Sequence, residues 1–208
     1  MTSPTVAALF VEPGGVYYGH ADVDPWDQGR DARLYAGPWP VVAHPPCARW
    51  SRLAGFTEAR FGYRRGQDYG CFQAALEAVR TWGGVLEHPA YSAAWPAFGL
   101  AEPVTYEGWT GSIDGGWSAY VEQGRYGLPA KKATWLYAYN VADLADLRWG
   151  FTPDSDGERP SGPWGGIDGW RDVWAHGRKR RTYETPVAFR DQLLAMARSA
   201  QRLAVYPA

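Results

Sequence analysis

The feature that most constrains this chain is a strand–helix–strand pattern between residues 40 and 89. PVVA at 40–43 is short and continuously apolar, as are strands that a parallel sheet buries on both faces. DYGCFQAALEAVRTW at 68–82 places apolar residues at helical spacing, and a glycine pair follows it, as at many helix ends. VLEHP then predicts a second buried strand. The pattern predicts a right-handed βαβ unit and an α/β fold class.

Further strands and a final helix are predicted outside this unit. VAALFV at 6–11, the turn sequence EPGG and the extended segment VYYGHADV together predict an N-terminal β-hairpin. SAYVEQ and ATWLYAYN predict two later strands. Apolar periodicity from about Val187 to Leu203 predicts a closing helix.

The remaining segments predict loops. Residues 48–67 show no clean periodicity, and residues 90–117 are irregular and rich in Gly, Pro and Trp. We expect a single domain over residues 1–208, in which residues 150–185 form a loop-rich, basic insertion or linker before the last helix.

Composition excludes several classes of protein. A net charge of -1 excludes a generally basic nucleic-acid binder, although it allows local basic patches. Two cysteines without a CxxC pair predict neither a disulfide framework nor a zinc motif. The N-terminus has no basic leader region, and no apolar run approaches the ~20 residues of a membrane span. We therefore expect a soluble, cytoplasmic protein with reduced thiols and no membrane partner.

One cysteine stands where α/β enzymes place their chemistry. Cys47 follows the first buried strand of the βαβ unit, and active sites of open α/β sheets lie beyond the carboxyl ends of strands. Pro45 and Pro46 hold the thiol on a rigid, extended segment. Glu87 lies at the end of the second strand, so the two side chains should be neighbours. A thiol and a carboxyl together suit covalent attack on an electron-poor ring, with the acid at the ring nitrogen.

These motifs carry a resemblance to a known family. VVAHPPC resembles the Pro-Cys motif of the DNA cytosine-C5 methyltransferases, and GGVLEHP resembles their Glu-Asn-Val motif, which in phage-type relatives often reads Glu-Asn-Pro. The two motifs are 40 residues apart with one helix between them, close to the family's spacing. EQGRYGLPAKKATWLYAY is similar to the later motif in which a Tyr-Gly-x-Pro loop precedes basic residues and a strand. TPVAFRDQLLAMA resembles the closing segment and final helix.

The resemblance implies a Rossmann-like transferase domain in which Cys47 attacks C6 of a cytosine and Glu87 holds N3 and the exocyclic amine. DNA would be the partner, with the target base flipped out, and S-adenosylmethionine would be the methyl donor. The cofactor-binding residues would be Phe10, Glu12, Gly14, Gly15 and Asp24. The residues assigned to the substrate or its phosphate are His44, Arg49, Trp50, Ser51, Arg52, His88, Arg125, Lys131 and Lys132.

The chain also departs from the family pattern. LFVEPGG imitates the cofactor loop, but Asp22 and Asp24 follow so soon that no helix fits between, and the hairpin competes with the cofactor loop. His88 replaces the family's Asn, and Lys132 and Thr134 stand roughly where two arginines are expected. No separate target-recognition domain fits into 208 residues.

Residues 48–66 contain five arginines and a single glutamate, interleaved with aromatic residues. This composition predicts a basic lid that grips phosphates while its rings stack on bases, and a solvated arginine-rich loop is the alternative. His44, His88 and Cys47 lack an obvious fourth ligand, so we predict no metal site.

Two other functions stay open on the sequence. The same site could act on a free pyrimidine nucleotide, with Arg49 and Arg52 holding its phosphate and no DNA involved. Alternatively, the chain could be a non-catalytic nucleic-acid-binding relative that has lost its cofactor pocket.

Overall fold

The computed structural model describes residues 5–51, 54–62, 64–128, 131–150 and 185–200. The strands within them are β1 (Val6–Leu9), β2 (Val23–Trp26), β3 (Val41–Ala43), β4 (Gly84–Pro89), β5 (Thr110–Gly111), β6 (Trp117–Glu122) and β7 (Ala133–Tyr139). The helices are α1 (Ala54–Phe61), α2 (Cys71–Trp82), α3 (Ala94–Ala97) and α4 (Val187–Arg198), with 3-10 turns at Ala32–Leu34 and Gln123–Tyr126. None of these helices is long and apolar enough to cross a membrane.

The strands form one mixed sheet in the order β2-β1-β3-β4-β7-β6-β5. β1 pairs in parallel with β2 and β3, and β3 pairs in parallel with β4. β7 is antiparallel to β4 and β6, and β5 is antiparallel to β6. The α/β class is confirmed, but the sheet is parallel only in its first half rather than through most of its width.

The predicted N-terminal hairpin is wrong. β2 lies beside β1 but runs in the same direction, with Val6 opposite Val23 and Leu9 opposite Trp26. Successive turns between the strands bring the chain back to the starting edge of the sheet, where the amide of Val6 donates to the carbonyl of Asp22. EPGG makes one of those turns rather than the reversal of a hairpin.

Helices cover both faces of the sheet. α2 packs on one face through Phe72, Leu76 and Val79, and α4 packs on the other through Phe189, Leu193 and Met196. The central strands are therefore buried on both sides, which explains their continuously apolar sequences. Burial of these apolar side chains is the main stabilising contribution to the fold.

The glycine pair after α2 has two separate roles. Gly83, at φ 78, ends the helix in a backbone conformation that other residues adopt at a cost. Gly84, at φ 123, begins β4, and a Cβ atom there would collide with the backbone of Val41. The absence of a side chain at Gly84 thus allows β4 to lie directly against β3.

The segment predicted as a long loop after Cys47 contains a helix. The carbonyl of Cys47 accepts hydrogen bonds from the amides of Trp50 and Ser51 at 3.0 and 2.9 Å, and α1 follows. Most of the α1 residues whose burial is described are exposed, so the helix has no apolar stripe that the sequence could reveal. The predicted basic insertion falls mainly on residues 151–184, which lie outside the described residues.

His88 is a histidine enclosed in the core. Its side chain is 0% exposed, with the Phe72 ring edge-on at 5.2 Å and the Trp95 ring stacked at 6.3 Å. No hydrogen bond of normal geometry reaches either ring nitrogen among the residues that the structure describes, although the backbone of Pro46 is near enough to raise the pKa of the ring. Burial lowers the pKa of His88 to about 4, although the charge of Glu87 opposes this shift. The folded protein therefore holds this ring neutral.

His88 should make the fold sensitive to acid. Its pKa is lower in the folded chain than the value of 6.5 for an ordinary histidine, so the unfolded state binds the extra proton first. We expect the free energy of unfolding to fall by on the order of 3 kcal/mol between pH 6.5 and 4, from this residue alone. Chemical denaturation across that range should show a smaller fall for His88→Leu than for the native chain. Equal falls would contradict the assignment.

Candidate active site

The parallel pairing of β3 and β4 brings two polar residues together where the strands end. Val41 is opposite Gly84 and Ala43 is opposite Leu86, so the next residues, His44 and Glu87, stand at the same level. Nδ1 of His44 lies 3.0 Å from Oε2 of Glu87. This carboxyl is 8% exposed and forms the centre of the candidate site.

A side-chain amide binds the other oxygen of Glu87. Nε2 of Gln123 donates to Oε1 at 3.0 Å and to the hydroxyl of Thr134 at 3.0 Å. The Thr134 hydroxyl in turn donates to the carbonyl of Lys132. Each carboxylate oxygen thus has one side-chain donor in the described part of the chain, and a carboxylate can accept about four hydrogen bonds.

The histidine has a second partner. The hydroxyl of Tyr17 lies 2.7 Å from Nε2 of His44, and the Tyr17 side chain is 3% exposed. A continuous hydrogen-bonded chain therefore runs from the β1–β2 connection, through the residue after β3, to the end of β4.

Glu87 is ionised at neutral pH. Burial by itself raises its pKa, but the hydrogen bond from His44 and the positive charge of Lys132 outweigh burial and lower the pKa to about 2. A buried carboxylate of this kind is stable only when such partners compensate for the lost hydration.

Cys47 lies at the same edge of the sheet. Its side chain is half-buried, and burial raises the pKa of its thiol. The negative charge of Glu87 raises that pKa further, while the positive charge of Lys132 lowers it. Cys47, Glu87 and Lys132 are thus close enough to influence one another electrostatically, and the thiol is mainly protonated at neutral pH.

Two further observations favour this edge as a functional site. The chain passes from β1 to β2 on one side and then to β3 on the other, so the strand order reverses between β1 and β3. In open α/β sheets, ligands bind outside the carboxyl ends of the strands at such a reversal. Phe10, Tyr91 and Lys132 lie at this edge with φ of 58, 63 and 37°, and strained residues of this kind cluster at functional sites.

The residues predicted to bind the cofactor do not form one site after β1. Phe10 packs against the core beneath the edge, whereas Glu12 and Gly14 are exposed. The Gly15 amide donates to the carbonyl of Glu12 at 2.9 Å, which closes an ordinary turn. No helix follows this turn before β2, so the positive end of a helix is missing from the place where cofactor loops of dinucleotide folds have one.

Asp24 is already occupied by neighbouring side chains. Its Oδ2 accepts a hydrogen bond from the Trp26 indole at 2.8 Å, and its Oδ1 forms an ion pair with Arg30 at 2.5 Å. A ribose would have to compete with both donors. The residues that the resemblance assigns to S-adenosylmethionine do not fit that group in this arrangement.

Two residues assigned to the substrate lie in the core. Trp50 is 8% exposed, donates to Oδ2 of Asp68 at 2.8 Å and packs against Phe72 and Phe98. His88 is enclosed as described above. It adjoins Glu87 in β4, but successive side chains of a strand point to opposite faces, so His88 faces away from the site.

The two lysines before β7 interact with different acids. Nζ of Lys131 lies 2.8 Å from Oε1 of Glu122 and 3.1 Å from the hydroxyl of Tyr106, so its charge is committed to that buried acid. Lys132 is the lysine whose charge reaches Glu87 and Cys47.

Four other residues were assigned to the substrate, and three of them are described by the structure. Arg49, Ser51 and Arg125 are half-buried, and the amide of Ser51 is held by Cys47. Arg52 lies outside the described residues.

Sequence reasoning missed two residues of the site, Tyr17 and Gln123. Gln123 lies within EQGRYG, a segment singled out for its likeness to a family motif, but nothing in its spacing distinguishes it from a surface amide. Tyr17 was hidden by the hairpin prediction, which placed it on a strand instead of in a turn beside β3.

Comparison with known proteins identifies no relative. No family model matches the chain, no curated protein matches it, and no solved structure matches it. Within the described ranges, no group of three or more His, Cys, Asp or Glu side chains could hold a metal ion. Function must therefore be inferred from the geometry of this edge and from the motifs themselves.

The influence of Glu87 on Cys47 can be measured without a substrate. In a Cys71→Ser background, which leaves one thiol, Glu87→Gln removes a negative charge near Cys47 and should lower the pKa of the thiol. We expect alkylation by iodoacetamide at fixed neutral pH to become roughly three- to tenfold faster. Glu122→Gln is the matched control, because it neutralises a buried carboxylate on the opposite face. Equal rates for Glu87→Gln and its parent would show that the two groups are not coupled.

Proposed function

We propose that this protein is a pyrimidine-modifying enzyme of the DNA cytosine-C5 methyltransferase type, in which Cys47 attacks C6 of cytosine and Glu87 binds the ring. The observation that carries the proposal is the position of the thiol and the carboxylate. Cys47 follows β3, Glu87 lies within its parallel neighbour β4, and the two share one edge of the sheet. The family resemblance predicts this pairing of the two motifs.

Glu87 supplies a hydrogen-bond acceptor for such a reaction. The ionised carboxylate of Glu87 can accept a hydrogen bond from the exocyclic amine of cytosine at an acceptor position left by His44 and Gln123. Binding of that amine directs Glu87 to the side of the ring that carries N3. A half-buried thiol nearby is accessible and is partly shielded from water.

The chemical step balances within the site. The sulfur–hydrogen bond of Cys47 breaks and a bond forms between the sulfur and C6. The π electrons of the C5–C6 bond move through C4 toward N3. The proton released by the thiol is passed to N3 through Glu87, which returns to its ionised state. Neutralising N3 in this way stabilises the adduct, because no charge then remains on the ring.

S-adenosylmethionine is the methyl donor that the resemblance implies. Since Asp24 and the turn after β1 do not fit the cofactor in this arrangement, the proposal covers formation of the covalent adduct and routes no step through the methyl donor. Calorimetry with S-adenosylmethionine addresses the cofactor directly, and this arrangement predicts no specific binding.

The proposed partner is DNA. Arg60 in α1 and Arg64 and Arg65 after it are exposed on the segment that follows Cys47. Cationic side chains in this position would contact phosphates on either side of a flipped base.

Trapping tests the proposal. In 5-azacytosine, a ring nitrogen replaces C5 and makes C6 more electrophilic, so the adduct needs no methyl donor. We expect the Cys71→Ser chain to form a covalent complex with DNA containing this base, detectable by intact mass, and the Cys47→Ala chain to form none. Glu87→Gln should lower the rate of adduct formation by about 10²-fold or more, because it cannot pass the proton.

The choice of probe separates the alternatives. An adduct with the free 5-azacytosine nucleotide but not with DNA would assign the site to nucleotides. Salt-sensitive DNA binding without any adduct would indicate a non-catalytic binder. An adduct that persists in Cys47→Ala would overturn the proposed nucleophile.

A further inference from the structure

The hydrogen-bonded chain behind Glu87 has a defined direction. An ionised carboxylate has no hydrogen to donate, so the 3.0 Å contact requires a proton on Nδ1 of His44. A bare Nδ1 would instead place its lone pair against a negative oxygen. At the other end, burial raises the pKa of Tyr17, so its hydroxyl keeps its hydrogen and can donate to Nε2.

We propose that Tyr17 and His44 are positioning residues for Glu87. The hydroxyl of Tyr17 fixes the tautomer of His44 with the proton on Nδ1, and that N–H holds Glu87 ionised and in one orientation. The inference rests on the proposed function for its catalytic meaning, since it concerns the acid that would bind the ring. In an enzyme, the hydrogen bond at one imidazole nitrogen commonly determines which nitrogen carries the proton.

The carboxylate of Glu87 is oriented to accept a proton or a hydrogen bond before the reaction begins. His44 holds one oxygen of Glu87 and Gln123 holds the other, so the plane of the carboxylate is fixed before any ligand arrives. When Glu87 carries the thiol proton to the ring, His44 continues to donate from Nδ1 and gives up no proton of its own. Preorganisation of this kind avoids reorienting the acid during the reaction.

The tyrosine is itself held by the helix on that face. Nη1 of Arg190, in α4, donates to the carbonyl of Val16 at 2.9 Å, and Arg190 also forms an ion pair with Asp191. This contact fixes the backbone next to Tyr17. The distant C-terminal helix therefore supports the orientation of the acid.

Other charged groups face this chain and must be considered in any titration. Lys132 acts on Glu87 from the segment before β7, Glu87 acts in turn on Cys47 after β3, and His88 lies next to Glu87 within β4. Arg190 and Asp191 act on Tyr17 with opposite signs. A test should therefore read the protonation of His44 and Glu87 directly.

Nitrogen-15 NMR of the imidazole rings supplies the first readout. At mildly alkaline pH, we expect His44 in the native chain to carry its proton on Nδ1 with Nε2 bare, and Tyr17→Phe to reduce the share of that tautomer. His44→Asn identifies the His44 signals by their loss. A native chain with the proton on Nε2 alone would overturn the proposal.

Carbon-13 titration of the Glu87 carboxyl supplies the second readout. His44→Leu should raise the pKa of Glu87, because burial then acts against a carboxylate that has lost its donor. His44→Asn should keep the pKa low, since its side-chain amide can occupy the place of Nδ1. A pKa that stays low in His44→Leu would overturn the proposal. If His44→Leu does not fold, a raised pKa in His44→Asn overturns it equally.

The two proposals fail in different experiments. Both NMR measurements use the protein without substrate, so they stand even if no pyrimidine adduct forms. Where the adduct does form, Tyr17→Phe should slow its formation by about tenfold without weakening DNA binding. An unchanged rate would restrict the Tyr17–His44 pair to a structural role.

Discussion

The structure depends on keeping a carboxylate charged where almost no water reaches it. Glu87 stands at the end of a strand that is buried on both faces, and its ionised form is tolerated only because side chains from distant parts of the sequence converge on it. Those donors come from the end of β3 and from the turn after β6. Loss of any one would leave an uncompensated charge in a medium that solvates it poorly. Each of these segments is therefore constrained by a single acid.

The same strand separates two chemical environments by alternation alone. Glu87 faces the side covered by α4 and belongs to a hydrogen-bonded site, whereas its neighbour His88 faces α2 and is packed among aromatic rings. Two polar residues that look equivalent in the sequence thus have opposite roles. Glu87 is ionised and held by hydrogen bonds, whereas His88 is neutral and held by packing.

Much of this arrangement could be predicted from local patterns. The βαβ unit around α2 is confirmed because the apolar runs, the helical spacing and the glycine pair all indicate the same structure. The hairpin failed because strand direction is decided by packing against β3 and by the turns between β1 and β2, and neither leaves a trace in apolar periodicity. Helix α1 was missed because it is exposed. Tyr17 and Gln123 could not be found, since a hydrogen bond between residues far apart in sequence depends on the completed fold.

The adjacent lysines before β7 serve acids on opposite faces of the sheet. Lys131 neutralises Glu122 on the face covered by α2, and Lys132 acts on Glu87 on the face covered by α4. One dipeptide thus supplies the counter-charge for acids on both sides of the same layer. Inserting one residue between Lys132 and the start of β7 would shift both cations by one position and turn each toward the other face. The spacing between these lysines and β7 is therefore constrained by charge as well as by the apolar residues of the strand.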